Sequence, residues 1–163
     1  MIHIRLAEYS DIPIILSIFD KARRFMRENG NLTQWAGDYP ARADVETDID
    51  RGVSYVVLSD GKICGTFALI PGDDPTYRII ENGAWRKKAP YAVIHRIASD
   101  GTVHGLAAAV FAFASKRFDY IRIDTHEDNH PMQHAAERFG FQRCGIIHVR
   151  DGSPRIAFDY YKE

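Results

Sequence analysis

The sequence has little cysteine: two in 163 residues, Cys64 and Cys144. Both sit in apolar, strand-like runs and neither belongs to a metal-ligand spacing, so they read as buried thiols of a reducing compartment, not as a disulfide. Long apolar runs are also missing. Nothing approaches the roughly 20 residues of a membrane span, and the amino-terminal MIHIRLAEYSD lacks the apolar core of a signal peptide. The expected location is therefore cytoplasmic. An excess of one charge is absent too: 21 Lys and Arg face 22 Asp and Glu, for a formal net charge of −1. No global field draws in nucleic acid or an anionic membrane. There is no internal repeat, linker or low-complexity tract. Neither G-x-G-x-x-G nor G-x-x-x-x-G-K-[ST] occurs, which argues against the common dinucleotide and nucleoside-triphosphate folds.

What is present reads as one domain, residues 1–163, with ordinary hydrophobic content of 45% and enough length for a real core. Ile2 to Leu6 alternates as a half-buried strand. Ser10 is expected to cap a helix whose stripe is Ile12, Ile15, Leu16, Phe19, Ala22 and Met26, ending at Gly30. Lys21, Arg23, Arg24 and Arg27 read as its solvated face. Asn31 to Pro40 is irregular and aromatic, and Ala43 to Arg51 is a short helix. Ser54 to Leu58 and Ile63 to Ile70 are strands joined at Asp60-Gly61, a strong hairpin signal. Pro71 to Pro90 is a long excursion, and such loops are often functional. It carries Tyr77, Glu81, Trp85 and the basic run Arg86-Lys87-Lys88, which can be a solvated loop pinned by Trp85 or a contact for phosphates.

Ile94 to Ala107, IHRIASDGTVHGLA, is a strand, a tight glycine-bearing loop and the start of an alanine-rich helix. A helix start leaves about four N–H groups unpaired and carries roughly half a positive charge. Small side chains let an anion approach them, so this stretch is a candidate phosphate cradle. A helix follows to about Arg117, with Leu106, Val110, Phe113 and Ala114 buried. Tyr120 to Thr125 is a second strand, parallel to the first. HEDNHP leads into a helix capped by Asp128 or Asn129, with Met132, Ala135, Ala136 and Phe139 inward. Phe141 to Val149 and Arg155 to Tyr161 form a final pair around Asp151-Gly152.

This order resembles the GNAT superfamily of N-acetyltransferases over the whole chain, most sharply from His95 to Gly145. The family's phosphate loop, R/Q-x-x-G-x-G/A, is matched at Thr102, Gly105 and Ala107. Its next helix, from Asn to Gly-Phe, is matched at Asn129, Gly140 and Phe141. Two positions depart: Thr102 replaces the Arg or Gln, and Ala136 stands where many members carry a tyrosine. The resemblance implies an α/β (α+β) fold with a central mixed, mostly antiparallel sheet of about seven strands, a splayed parallel pair, and about four flanking helices.

The resemblance also implies acetyl-CoA (coenzyme A) as co-substrate, with no metal, and an amine acceptor: a small amine, an amino acid or a peptide. Thr102, Val103, His104, Gly105, Leu106 and Ala107 would hold the pyrophosphate. The pantetheine arm would pair with the strand edge at Ile97, Ala98 and Ser99. Asn129 would lie near the sulfur, with Gln133 and Arg138 toward the nucleotide. Trp35, Tyr39, Tyr77 and Trp85 would wall the acceptor cleft, with Gln34 a polar contact. An N–H near Ile97 can polarise the thioester carbonyl. Asp124, His126, Glu127 and His95 are the candidate bases, with His126 foremost. Ala136 has no proton to give, so the acid falls to Tyr91, Tyr160 or water, or the thiolate leaves without a partner. Cys144 has no paired histidine and reads as strand interior. The competing reading keeps the acyl-CoA site as a regulatory or sensor module. Oligomeric state stays open, a homodimer included.

Overall fold

A computed structural model describes residues 1–163. The chain runs β1 (Ile2–Leu6), α1 (Ile12–Glu28), α2 (Arg42–Asp50), β2 (Ser54–Ser59), β3 (Lys62–Pro71), β4 (Ala92–Ser99), α3 (Leu106–Ser115), β5 (Tyr120–Thr125), α4 (His130–Phe139), β6 (Gln142–His148) and β7 (Pro154–Tyr161). The strands form one seven-stranded sheet in the order β1-β2-β3-β4-β5-β7-β6. Every adjacent pair is antiparallel except β4 and β5.

The period-two pattern assigns the two faces. Ile121 and Ile123 of β5 point into the larger core, formed with Leu106, Val110 and Phe111 of α3 and Ala136 of α4. On the opposite face, α1 packs Ile12, Ile15, Ile18 and Phe19 onto Val56 and Ala98. Ser10 is not the cap of α1. Asp11 is the N-cap residue, preceded by a short 3-10 turn, and its carboxylate accepts from the Glu8 N–H and from both ends of the Arg5 guanidinium.

The far half of that second face is covered by residues 72–91. Tyr77 packs there on Val93, Ile147 and Ala157. The Trp85 indole donates to the Tyr77 carbonyl, and the Arg122 guanidinium lies against the Trp85 and Tyr91 rings. Arg86 pairs with Asp159, which is fully buried, and Lys87 sits over the Tyr161 ring. Arg86 and Lys87 thus fasten this strap to the sheet. Gly83 and Gly145 let the strap approach β6: a Cβ at either would collide with backbone oxygen of the other segment, at 1.9 Å and 2.5 Å.

Arg23 and Arg27 are not a solvated face either. Arg27 donates to the carbonyls of Asn31, Gln34 and Trp35, and Arg23 to those of Asp38, Tyr39 and Pro40. A segment without regular structure leaves its carbonyls unpaired. Two guanidinium forks satisfy six of them and hold residues 31–40 against α1.

Candidate active site

The parallel pairing of β4 with β5 lasts for two registers, Ala92 with Ile121 and Val93 with Arg122. Beyond it the strands part. The cause lies on β4, where Thr66 of β3 faces Ala98 but Ala68 faces His95, so Phe67 stands opposite both Arg96 and Ile97. An extra residue of this kind bends and twists its strand. Arg96 takes a φ of +53°, a conformation costly for a residue with a side chain. It is held there by a two-pronged ion pair with Asp48, at 2.8 and 2.7 Å, and by its hydrogen bond to the Tyr39 hydroxyl.

The gap opens into a cleft of about 1080 Å³ at the meeting of the two covers of this face. His95 and Asp124, from the two parting strands, both line it. His95 Nε2 meets Asp74 Oδ2 at 2.9 Å, and Nδ1 has no protein partner. Asp74 also accepts from the Thr76 N–H and hydroxyl. Burial works to raise its carboxyl pKa, but the bonds from His95 and Thr76 together outweigh burial and lower it to about 2. Asp124 accepts from the Tyr77 hydroxyl at 2.6 Å. Burial, reinforced by the Asp124 charge, drives the Tyr77 pKa well above its ordinary value, so Tyr77 stays a donor.

The Asp74 shift has a consequence for stability. A carboxyl whose pKa is lowered on folding stabilises the native state above its unfolded value of 3.8, and that stabilisation is lost as pH falls toward 2. The drop to about 2 corresponds to on the order of 2 kcal/mol. In urea titrations, the stability difference between the native protein and Asp74→Asn should be largest near neutral pH and nearly vanish by about pH 2. A difference independent of pH would contradict the assignment.

From the cleft a path continues along α3. Ala107 and Ala135 line both the cleft and a neighbouring cavity of about 260 Å³, whose other walls include Gly105, Leu106, Ala108 and Arg138. Gly105, at φ +76°, turns the chain into the helix. The N–H groups from Val103 to Ala108 find no acceptor in the protein, and the first bond back is Ala109 N–H to the Gly105 carbonyl. Thr102 does not share in this: its N–H and hydroxyl both bond to Asp100 Oδ1. The run of open amides therefore starts one residue later than the sequence motif suggests. The Val103 side chain packs against the larger core, and His104 is exposed.

Other expected residues are distributed unevenly. Ile97, Ala98, Ser99 and Asn129 line the cleft, as do Gln34, Trp35 and Tyr39. Trp35 also plugs the second core, edge-on to Phe19 at 5.5 Å. Tyr77 and Trp85 do not wall the cleft; they belong to the core beneath the strap, and Tyr77 is 1% exposed. Gln133 lines neither cavity. It is buried, donating to the His126 and Glu127 carbonyls and accepting from Arg143. His126 is outside the cleft lining. Its Nδ1 accepts the Asp128 N–H and its Nε2 meets the Thr33 hydroxyl at 2.9 Å, so both ring nitrogens tie residue 33 to the β5–α4 turn. Asn129 caps α4 by accepting from Met132 N–H, and its amide donates to Gln34. Ala136 is fully buried in the larger core. Burial raises the Cys144 thiol to about 12 and lifts that of Cys64, so neither is a ready nucleophile. Asp74, Asp48 and Arg96 are the residues that sequence reasoning missed. Their partners lie 21 to 57 positions away, and no local spacing announces them.

No helix is long and apolar enough to cross a membrane. None of the proteins with curated functions matches this sequence significantly. Among solved structures, a GNAT-family acetyltransferase from Streptococcus agalactiae is 33% identical, with a TM-score of 0.90 over 99% of this chain and 96% of that one. A GNAT-family acetyltransferase from Listeria monocytogenes shares the fold at 20% identity, TM-score 0.70, over 99% of this chain and 95% of that one. So does the ribosomal-protein-S18-alanine N-acetyltransferase from Escherichia coli, at 16% identity and TM-score 0.64, over 99% of this chain and 94% of that one. The family model for GNAT acetyltransferases matches residues 17–141, and with the splayed strands and open helix start already in place, this chain belongs to the GNAT acetyltransferase family.

Proposed function

We propose that the protein transfers an acetyl group from acetyl-CoA to an amine, by direct attack within a ternary complex. The observation that carries this reading is the pairing of His95, on the strand that parts from β5, with Asp74, which leaves His95 Nδ1 without a protein partner. The residues fit the co-substrate: the amides of Val103 to Ala108 with Arg138 suit a diphosphate, and the parted edge of β4 at Ile97 to Ser99 suits a peptide-like arm.

In this reading Asp74 holds the His95 ring in the tautomer that accepts a proton at Nδ1. The acceptor nitrogen bonds to the acetyl carbon, its proton passes to His95 Nδ1 directly or through one water, and the carbon–sulfur bond breaks. The thiolate leaves to solvent and is protonated there, since the buried Ala136 has no group to offer. The strap and the 31–40 segment hold the two substrates in line, which by itself accounts for a large part of such a rate. His126 takes a positioning role through Thr33. Two buried free thiols support a reducing compartment such as the cytoplasm as the protein's location.

A thiol-release assay with acetyl-CoA and an amine panel tests the proposal. Turnover above the rate with no acceptor supports it. Tight acetyl-CoA binding without turnover on any amine would transfer support to the sensor reading, which the buried Ala136 favours.

The cradle has its own test. Beyond its chain neighbours, nothing lies within 4 Å of a Cβ built at Gly105, so Gly105→Glu meets no clash; its φ of +76° strains any side chain there, and the carboxylate lies beside the open amides. Calorimetry should show CoA bound at least about tenfold more weakly. Unchanged affinity would remove Val103 to Ala108 from the site.

A further inference from the structure

The charges around the cleft are not paired alike. Asp44 accepts from the Ala41 N–H and Asp151 from the Ser153 N–H. Asp74 and Asp124 are engaged by His95 and Tyr77. Asp100, toward the phosphate loop, is occupied by Thr102. The Arg96 guanidinium is taken by Asp48 and Tyr39. Four other cations line the same cleft and form no ion pair: Lys21 and Arg24 on α1, and Arg150 and Arg155 on the hairpin between β6 and β7. Arg155 does no more than donate to the Pro154 carbonyl. Glu28 is the one lining carboxylate without a protein donor. The α1 and β6–β7 sides of the cleft thus present cations without a carboxylate partner, while all but one of its lining carboxylates are held by hydrogen-bond donors.

Two further features narrow the class. Gln34 Oε1 accepts from Asn31 at 2.7 Å and from Asn129 at 3.1 Å. This sets which end of the amide is which and leaves the Gln34 NH2 without a protein acceptor. Phe25, Trp35 and Tyr39 supply apolar wall on the α1 side, with Phe25 52% and Tyr39 42% exposed.

We propose that the acceptor is an amino acid: a small molecule carrying a carboxylate as well as its amine, with an apolar side chain. The carboxylate meets the unpaired arginines, which offer planar, two-donor recognition. The apolar part lies on Phe25, Trp35 and Tyr39, and the amine is directed to His95. The inference rests on the acyl-transfer reading and names its substrate class. A simple alkylamine is disfavoured, because it offers no anionic group to the four unpaired cations.

The test uses matched pairs that differ by the carboxylate alone, phenylalanine against phenethylamine and leucine against isoamylamine. With acetyl-CoA, kcat/KM should favour the amino acid by about tenfold or more, the size of one charge-assisted hydrogen bond. Arg24→Gln combined with Arg155→Gln should bring the ratio toward one while the KM for acetyl-CoA stays unchanged. Equal or better turnover of the plain amines overturns the amino-acid proposal and leaves acyl transfer intact. A raised KM for acetyl-CoA with an unchanged ratio also overturns it, assigning the arginines to the co-substrate. If no acceptor turns over, acyl transfer fails. Calorimetry on the CoA-loaded protein then decides the proposal: tighter binding of the amino acids supports it, and equal or absent binding overturns it.

Discussion

His95→Gln lowers kcat by at least about a hundredfold, the lower end of what a positioned general base contributes, and leaves the affinity for CoA unchanged. The His95 side chain is on the acceptor face of β4, whereas the open amides are at the start of α3, so the two functions separate. Asp74→Asn gives a smaller loss of kcat with the same CoA affinity: asparagine cannot hold Nε2–H with a charge, so the ring loses its fixed orientation. The comparison variant is His126→Gln. If His126→Gln abolished turnover while His95→Gln retained it, the proton-transfer role would return to His126 and the Asp74 pair would be structural. Both variants are measured by thiol release, using an acceptor that supports turnover.

The largest effect on stability is expected far from this chemistry, at Asp159. Its fully buried carboxylate accepts from the Arg86 N–H, the Arg86 side chain and the Tyr120 hydroxyl. Asp159→Ala removes one partner of a buried charge network and strands the others. Breaking such a pair costs about 3–5 kcal/mol. For a chain of this size that lowers Tm by roughly 10 °C. Asp60 is the contrast: its ion pair with the chain terminus has both groups mostly exposed, at 87% and 97%. Such surface pairs contribute little, so Asp60→Ala should leave Tm unchanged. Equal Tm values for the Asp159 and Asp60 variants would show that the strap over β5, β7 and β6 is held by apolar packing alone. Burial lifts the Tyr120 hydroxyl to about 12, so it remains a donor, and Asp159→Asn tests how much of the effect is charge.

Regular elements were legible because their causes are local. The stripe from Ile12 to Met26 repeats at helical spacing, Asp60-Gly61 accepts the tight hairpin turn, and Tyr120 to Thr125 is the strand it reads as. The open amides at the start of α3 were legible for the same reason, since a helix start exposes its own N–H groups whatever surrounds it. Thr102 was misassigned because the Asp100 side chain competes for its N–H, a detail of side-chain geometry that the spacing alone does not reveal. Tyr77 and Trp85 show a different limit. Aromatic residues in a long loop suit a substrate wall or a core plug equally well, and composition does not say which face of the sheet the loop crosses.

The amino-acid order by itself determined the elements, their sequence and the family resemblance, because hydrophobic period, turn chemistry and helix-start amides act over a few residues. Tertiary structure alone decided the site. It set the extra residue at Arg96 that parts β4 from β5, the meeting of His95 with Asp74, the removal of His126 from the cleft, and the use of Arg23, Arg27 and Arg86 as clamps. Each depends on groups 15 or more positions apart, with the sole exception of the Arg27 clamp. Such contacts follow from how the layers stack, and the pairing of a charge is decided by which neighbour reaches it when both are buried.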